Sequence, residues 1–399
     1  MIHSLFDRLE EIYSELVDFR RDMHMYPEIS NEEVETPKKI AEYLRNLGIE
    51  VKTGVGGRGV VGTLKGGKPG KTVALRADFD ALPIQDEKKV DYRSRVPGVM
   101  HACGHDIHTS ALLGVAKVLS EVREELSGTV VFIHQHAEEA TPGGAKVMIE
   151  DGCLDGVDVI YGAHVMSHIP FGQFAVREGY FSSAQDDFKI EVMGKGGHGS
   201  MPHMTVDPLV TASQLVVNLQ QIVSRNVNPL EAAVVTVGSF HSGEANNVIP
   251  DKAMIKGTVR TYNDEVRRNI EIALRRVATS TCEGTGAKAN IEFFGDCPSI
   301  YNDSKETDRV KEMATLIFDE GKVVEAEPLM GSEDYSLYQQ HVPGVYFIVG
   351  GENRDINAVY PHHHPKFNVD ERSMKDISKV FISSVLNYLS DGKVKPEKK

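Results

Sequence analysis

Between about residues 58 and 166, short apolar and β-branched runs alternate with helical patterns. This alternation constrains the fold more than any other feature of the chain. "TVALRAD" (72–78), "TVVFIHQ" (129–135) and "VDVIYGAHV" (157–165) read as buried strands. "TSALLGVAKVLSEV" (109–122) and "GGAKVMIEDG" (143–152) read as helices. Strands separated by helices pack as a doubly wound α/β layer structure. Ionisable residues follow the strands: Asp78 and Asp80, then Glu138 and Glu139, then His164. In open α/β sheets, sites form beyond the carboxyl ends of strands, so these groups are expected to converge in space.

The middle of the chain follows another plan. "DFKIEVMG", "AAVVTVGSF", "KAMIKGTVRTY" and "KANIEFFG" read as strands, with helices at "DPLVTASQLVVNLQQIVSR" and "DEVRRNIEIALRRVATSTCEG". That β-α-β-β-α-β order is the split βαβ, ferredoxin-like sandwich. The expectation is a mixed-sheet catalytic domain in two parts, residues 1–183 and 298–399. A lid or dimerisation domain, residues 184–297, is inserted between them. A chain of 399 residues is long for one core, which agrees with two domains. After the insertion, "VPGVYFIVGG" resumes a buried strand, and "HHHPKFNVDERSMKDISKVFISSVLNYLS" runs from a histidine cluster into a closing helix.

Bulk properties exclude some functions. The formal charge of −14 disfavours nucleic acid, whose phosphates call for clustered Lys and Arg. The short tail "KVKPEKK" is basic and reads as a frayed end. No run reaches the roughly 18 apolar residues of a membrane helix. Leu5, Phe6, Leu9, Ile12, Leu16 and Phe19 recur at helical spacing, so the start reads as a docked amphipathic helix and not a signal peptide. Cys103, Cys153, Cys282 and Cys297 show no disulfide framework spacing, which suggests reduced thiols in a cytoplasm.

The stretch "VMHACGHDIHTSALLGVAKVL" (99–119) carries the densest chemistry. Cysteine, histidine and carboxylate together are the ligand set of zinc and similar ions. Cys103 and His105 read as a loop pair two residues apart, able to point the same way. Glu138, Glu139 and His164 follow strands of the same expected sheet, and His362, His363 and His364 follow another. Any one of these alone could be a packed or solvated residue; it is the expected convergence that favours metal. Five ligands exceed the needs of one tetrahedral ion and suit two ions sharing a bridging ligand and water. One of the paired glutamates is then free to act as a proton acceptor, since metal-assisted hydrolysis uses a nearby carboxylate. A surface acidic pair is the plainer alternative.

Several motifs together resemble the M20 family of di-metal amidohydrolases and peptidases. They are "LRADFDALPI", "MHACGHDIHT", "AEE", "GAHV", "GKGGHGSMPH", "NNVIP", "GTVRT" and "HHHPKF". The resemblance covers nearly the whole chain. It points to the subgroup of aminoacylases, hippurate hydrolases, plant auxin-conjugate hydrolases and archaeal carboxypeptidases. It implies Cys103, His105, Glu139, His164 and His363 as ligands of two divalent ions, with Cys103 bridging. Zinc, manganese, cobalt or nickel would each suit, thiolate favouring zinc. Glu138 matches the family's general base, and Asp80 its ligand-orienting aspartate. Asp78 stands where most relatives carry a ligand histidine, and Cys103 where they carry a carboxylate. In the inserted domain, His198 matches a histidine that steadies the oxyanion, often of the partner subunit's site. Asn247 and Arg260 match substrate-side positions, where Arg can hold a carboxylate bidentately. His136 replaces a usual proline and reads as a pocket wall or a solvated bystander, with ligation less favoured. Asp106 reads as a helix cap or outer-sphere group, with a bridging role as the alternative.

The expected activity is hydrolysis of an amide on an amino acid: an N-acyl amino acid first, a short peptide cut from its carboxyl end second. The expected assembly is a homodimer through the inserted domain, without membrane or nucleic-acid partners. Two rivals come from other classes: a cysteine hydrolase with Cys103 as nucleophile, and a metal-free binding protein on a peptidase scaffold.

Overall fold

A computed structural model describes residues 2–393, and the basic tail beyond Lys393 lies outside the described residues. The chain divides into two compact units. The first comprises Met1–Gly179, Tyr301–Glu327 and Asp334–Lys399. The second comprises Tyr180–Ile300 and Pro328–Glu333.

The first unit is built on an eight-stranded mixed sheet. Its centre holds four strands: β1 (Lys68–Asp78), β2 (Ser127–Gln135), β3 (Val159–Pro170) and β4 (Gly344–Glu352), in the order β2-β1-β3-β4. All three pairings among them are parallel. Residues 73–78 of β1 and 130–135 of β2 are buried without interruption. Strands covered on both faces carry continuous apolar runs in this way, which is why they are readable. The hairpin Glu50–Val55 and Gly59–Lys65 adds two antiparallel strands beside β2. Phe174–Val176 and Val323–Glu325 close the other edge.

The chain passes from β1 outward to β2, then returns to the far side of β1 for β3. The strand order therefore reverses at β1, the position at which open α/β sheets place their sites. The helix α2 (His105–Glu121) runs between β1 and β2 and is buried almost all round, as a helix inside a large core must be. Ahead of it, the amphipathic start forms two helices, Ile2–Glu11 and α1 (Tyr13–Met25), interrupted at Ile12. Leu5, Leu9, Ile12 and Leu16 enter the main core, as their spacing suggests. Leu16 Cδ1 lies 2.6 Å from where a Cβ on Gly114 would sit, so glycine there lets α1 approach α2.

The structure corrects some sequence-derived boundaries. His105 is not on a loop but opens α2, which begins four residues before the apolar pattern. β3 does not stop near His164; it continues to Pro170, because β4 pairs with it through His164↔Ile348 and beyond. Helix Glu35–Asn46 and helix Ser304–Ile317 also belong to this unit.

The second unit is an antiparallel four-stranded sheet in the order Ala233–Ser242, Lys252–Thr261, Ala184–Met193, Lys288–Cys297. Helices Pro208–Leu219 and Asp264–Thr285 lie between strands along the chain. Ala184–Met193 alternates buried and half-buried residues, the period expected of a sheet with one covered face. Phe188, Ile190 and Val192 form a core with Leu215, Leu219, Ile255 and Leu274. Asp207 caps the first helix by accepting from Leu209 N–H and Val210 N–H, and Gly286 ends the second at φ +80°. The first helix stops at Leu219, short of the expected 225, and a wider turn over Ile222–Asn226 follows. The edge strand Ala233–Ser242 exposes Val234 and Phe240.

Candidate metal centre

Three segments meet beyond β1 and β3. β1 ends at Asp78, and the chain turns through Phe79 to Asp80, which is buried. Asp80 organises its surroundings. Its Oδ2 accepts from Ser30 Oγ at 2.7 Å and from Glu139 N–H at 3.0 Å. Its Oδ1 and its own carbonyl oxygen face His105 Nδ1 at 3.1 and 3.0 Å. With two acceptors there, His105 Nδ1 carries a hydrogen, and Nε2 is the nitrogen turned away from Asp80. The Nε2 atom is buried and makes no hydrogen bond. Asp78 Oδ2 stands 3.8 Å from it, and Glu138 Oε2 and Glu139 Oε1 each stand 3.9 Å away. A buried, unpartnered ring nitrogen facing three carboxylate oxygens fits a place that a cation completes, the ion taking the position of a proton.

The other expected donors gather around this point. Cys103 Sγ lies 3.4 Å from His164 Nε2, and His363 Nε2 lies 3.1 Å from Glu139 Oε1. Gly104, at φ +98°, turns the chain between Cys103 and His105, and a Cβ there would meet Val165 Cγ1 at 2.5 Å. His363 also has a positive φ of 62°, and its N–H donates to Ala102 O at 2.8 Å, tying the histidine loop to the residue before Cys103. Donor atoms of Cys103, His105 and Glu139 all lie within 4.8 Å of one another. The same holds for Cys103, His164 and His362, and for His105, His108 and His164.

Electrostatics favours a positive occupant. Burial opposes charge on His105, yet Asp78 and Asp80 outweigh it and raise the imidazole pKa to about 10. Burial, then Glu139, Glu138 and Asp78, push the Cys103 thiol well above its ordinary value. The pocket thus holds protons tightly in the places where a divalent ion would supply charge instead.

The two open cases from the sequence are resolved away from ligation. Asp106 neither caps α2 nor reaches the donor groups. Its Oδ2 is 2.7 Å from both Arg20 Nε and His24 Nδ1, in a fully buried ion-pair cluster. His136 is buried, not solvated, and belongs to none of the donor groups. His101 is also buried, with both ring nitrogens unpartnered. Sequence reading did not find the partners Ser30, Arg76 and Asp334. Arg76 donates to Asp78 Oδ2 at 2.6 Å and to Asp334 Oδ1 at 2.9 Å. The i, i+2 spacing of Arg76 and Asp78 on one strand was the available signal.

In the second unit, His198 and Asn247 are neighbours. His198 pairs with Val248 across a two-residue ladder, and Gly199 N–H donates to Asn247 O at 2.8 Å. Both are exposed, and His198 Nδ1 accepts from Ser200 Oγ at 2.8 Å. Arg260 is half-buried on the sheet, donating to Gln185 Oε1 at 2.7 Å and Ser332 Oγ at 3.2 Å.

The fold and the donor cluster define a metal-dependent hydrolase built on an α/β sheet. Residues 74–387 match the sequence profile of peptidase family M20/M25/M40, and the chain belongs to that family. It is 42% identical over 378 residues to thermostable carboxypeptidase 1 of Saccharolobus solfataricus, covering 94% of this chain and 95% of that one. It is 40% identical over 375 residues to the N-acetylcysteine deacetylase of Bacillus subtilis (strain 168), covering 92% and 95%. The crystal structure of the Bacillus subtilis YXEP protein, described as a dinuclear metal-binding peptidase of the M20 family, superposes with a TM-score of 0.84. It shares 36% identity and covers 96% of this chain and 99% of that one.

Proposed function

We propose that the protein hydrolyses the amide bond of N-acyl amino acids at a centre of two divalent ions. Cys103, His105, Glu139, His164 and His363 would hold the ions. The observation that carries this reading is the convergence of Cys103, His105 and Glu139 within 4.8 Å, around a buried His105 Nε2 that lacks any partner. When bound, the ions supply polarisation of the scissile carbonyl and acidification of water.

The chain's own residues do the rest. Asp80 holds the proton of His105 on Nδ1 and fixes the backbone of Glu139. Glu138, side by side with Glu139 and with its Oε2 3.9 Å from His105 Nε2, takes the proton of the attacking water on its carboxylate. It then returns that proton to the departing amine nitrogen. His198 would donate to the developing oxyanion and Arg260 would hold the substrate carboxylate, with Asn247 beside His198. These three stand in the second unit, which serves in this reading as a lid and as the contact between two copies of the chain.

The named activities of relatives support amide hydrolysis on amino acids: a deacetylase of N-acetylcysteine, and IAA-amino acid hydrolases. The carboxypeptidase relatives favour a second reading, cleavage of short peptides from the carboxyl end. A panel of acetyl, benzoyl and longer acyl amino acids, run beside dipeptides, separates the two. It should be run on metal-depleted protein and on protein reconstituted with zinc, manganese, cobalt or nickel. Turnover of acyl amino acids only after reconstitution is expected. Full activity in protein shown to be metal-free by elemental analysis would refute the metal reading, and preference for dipeptides would favour the peptidase.

A further inference from the structure

One cluster in the first unit does no chemistry in the scheme above. It runs from Arg76 through Asp78 and His108 to the backbone of Val165. Asp78 Oδ1 is 2.7 Å from His108 Nδ1, while Arg76 Nη1 donates to Asp78 Oδ2 at 2.6 Å. The other nitrogen of His108, Nε2, accepts the Val165 N–H at 3.0 Å. A backbone N–H can only donate, so His108 Nε2 is unprotonated and the ring proton sits on Nδ1, given to Asp78. The Val165 carbonyl oxygen is 2.8 Å from His164 Nδ1 and 3.0 Å from His362 Nε2. A carbonyl can only accept, so both of those nitrogens carry hydrogen. His164 is thereby left with a bare Nε2, the atom 3.4 Å from Cys103 Sγ.

We infer that Asp78 and His108 are positioning residues that fix the backbone of Val165, and through its carbonyl oxygen hold His164 in the tautomer and orientation that offer Nε2 to a metal ion. The inference rests on the reading of His164 as a ligand. His108 is not a further ligand, because its one lone pair is already taken by the Val165 amide. His362 is not one either, since its Nδ1 faces Ser167 Oγ at 3.3 Å and its Nε2 faces Val165 O. The ring centroids of His108 and His164 are 4.5 Å apart at 70°, so loss of the first also removes a wall of the second. Ligand histidines commonly depend on a hydrogen bond from the distal nitrogen, and losing such support weakens metal binding by about 10–100-fold. Here the support is itself supported, and Asp78 is the charged end of the chain.

The test uses the full chain and two readouts. Nitrogen-15 histidine spectra of the metal-depleted protein report the tautomer of His164, assigned with His164→Ala. Competition with a chelator for Co(II) reports affinity and the number of ions bound at saturation. The wild type should show His164 with hydrogen on Nδ1. Asp78→Ala and His108→Ala should each shift that population towards the Nε2–H form and weaken Co(II) binding by about 10–100-fold. The saturating number of ions should not change. The double variant should be no weaker than the worse single, because the two act in series. Asp78→Asn leaves one acceptor oxygen for two donors, Arg76 Nη1 and His108 Nδ1, so it should shift the tautomer in the same direction as alanine but less, and it serves as the test if the alanine variant does not fold. An unchanged His164 tautomer in the variants, or losses that multiply in the double variant, would overturn the relay. A lower number of bound ions in His108→Ala would instead make His108 a ligand. If His164→Ala bound as many ions as the wild type, the ligand reading of His164 would fail, while the tautomer result would still decide the relay.

Discussion

Asp106 is the residue on which sequence and structure part most usefully, because a bridging ligand and a structural ion pair predict opposite consequences for its removal. Its side chain and that of Arg20 are both fully buried, with Asp106 Oδ2 2.7 Å from Arg20 Nε. His24 Nδ1 is 2.7 Å from the same oxygen. Arg20 keeps one other carboxylate, Glu371, at 3.2 Å. Breaking a buried pair on one side typically costs ~3–5 kcal/mol, because the remaining charge stays in the low-dielectric interior. Glu371 offsets part of this, so Asp106→Asn should cost about 3 kcal/mol in the metal-free protein. That is a fall of roughly 5 °C in thermal midpoint for a unit of this size. Replacing both partners, Arg20→Met with Asp106→Leu, should recover at least half of the loss, since a buried pair exchanged for apolar groups is often neutral. The assay is calorimetry of metal-depleted protein, with the number of Co(II) ions bound at saturation measured in parallel. If Asp106→Asn melts like the wild type and binds fewer ions, the ion-pair account is wrong and the bridging role stands.

Other outcomes follow from the same geometry. Glu138→Gln removes the proton acceptor but not a donor tied to Asp80, so metal content should persist while kcat falls by ~100-fold or more. Glu139→Ala should instead lose metal, and near-wild-type turnover in Glu138→Gln would dismiss Glu138 as the base. Burial raises the carboxyl of Asp376 to about 7, against the opposing pull of Lys379 and Lys375. Its folded-state value lies above the unfolded one, so its contribution is intact below about pH 4 and is lost as pH rises towards 7. Asp376→Asn should therefore leave stability unchanged near pH 4 and raise it by about 2–4 kcal/mol at pH 8; equal denaturation midpoints at pH 8 would contradict this. If His198 serves the site of a second copy, co-refolding His198→Ala with Glu138→Gln should regenerate one intact composite site per mixed dimer and restore activity. No recovery, or a sedimentation mass of a single chain, would rule out the shared site.

How much of this was legible follows from where each signal resides. β1, β2 and β4 announce themselves because strands buried on both faces carry apolar runs, and "VAL" of β1 and "VVFI" of β2 are such runs ahead of their polar ends. The candidate donors were legible for a related reason: Asp80 and the glutamate pair follow such strands and His164 lies within β3, and parallel topology brings these distant residues together. The hairpin at 50–65 and helices Glu35–Asn46 and Ser304–Ile317 lie on the outside, where polar residues dilute the period. Long-range polar pairing was invisible altogether. Arg76 and Asp334 are 258 positions apart, and nothing in either neighbourhood names the other. The same limit applied to the histidines of "HACGHDIH". Composition marks all three as donors; the family resemblance picks out His105 and leaves His101 and His108 to pack or hydrogen-bond around it, and the partner of each nitrogen supplies the physical ground. His105 turns Nδ1 to Asp80 and leaves Nε2 unpartnered, whereas His108 spends Nε2 on a backbone amide. His101 lies buried with neither nitrogen engaged. In a cluster of identical side chains, which ring nitrogen stays open to an ion depends on what the other nitrogen already holds, and that partner is supplied by the fold.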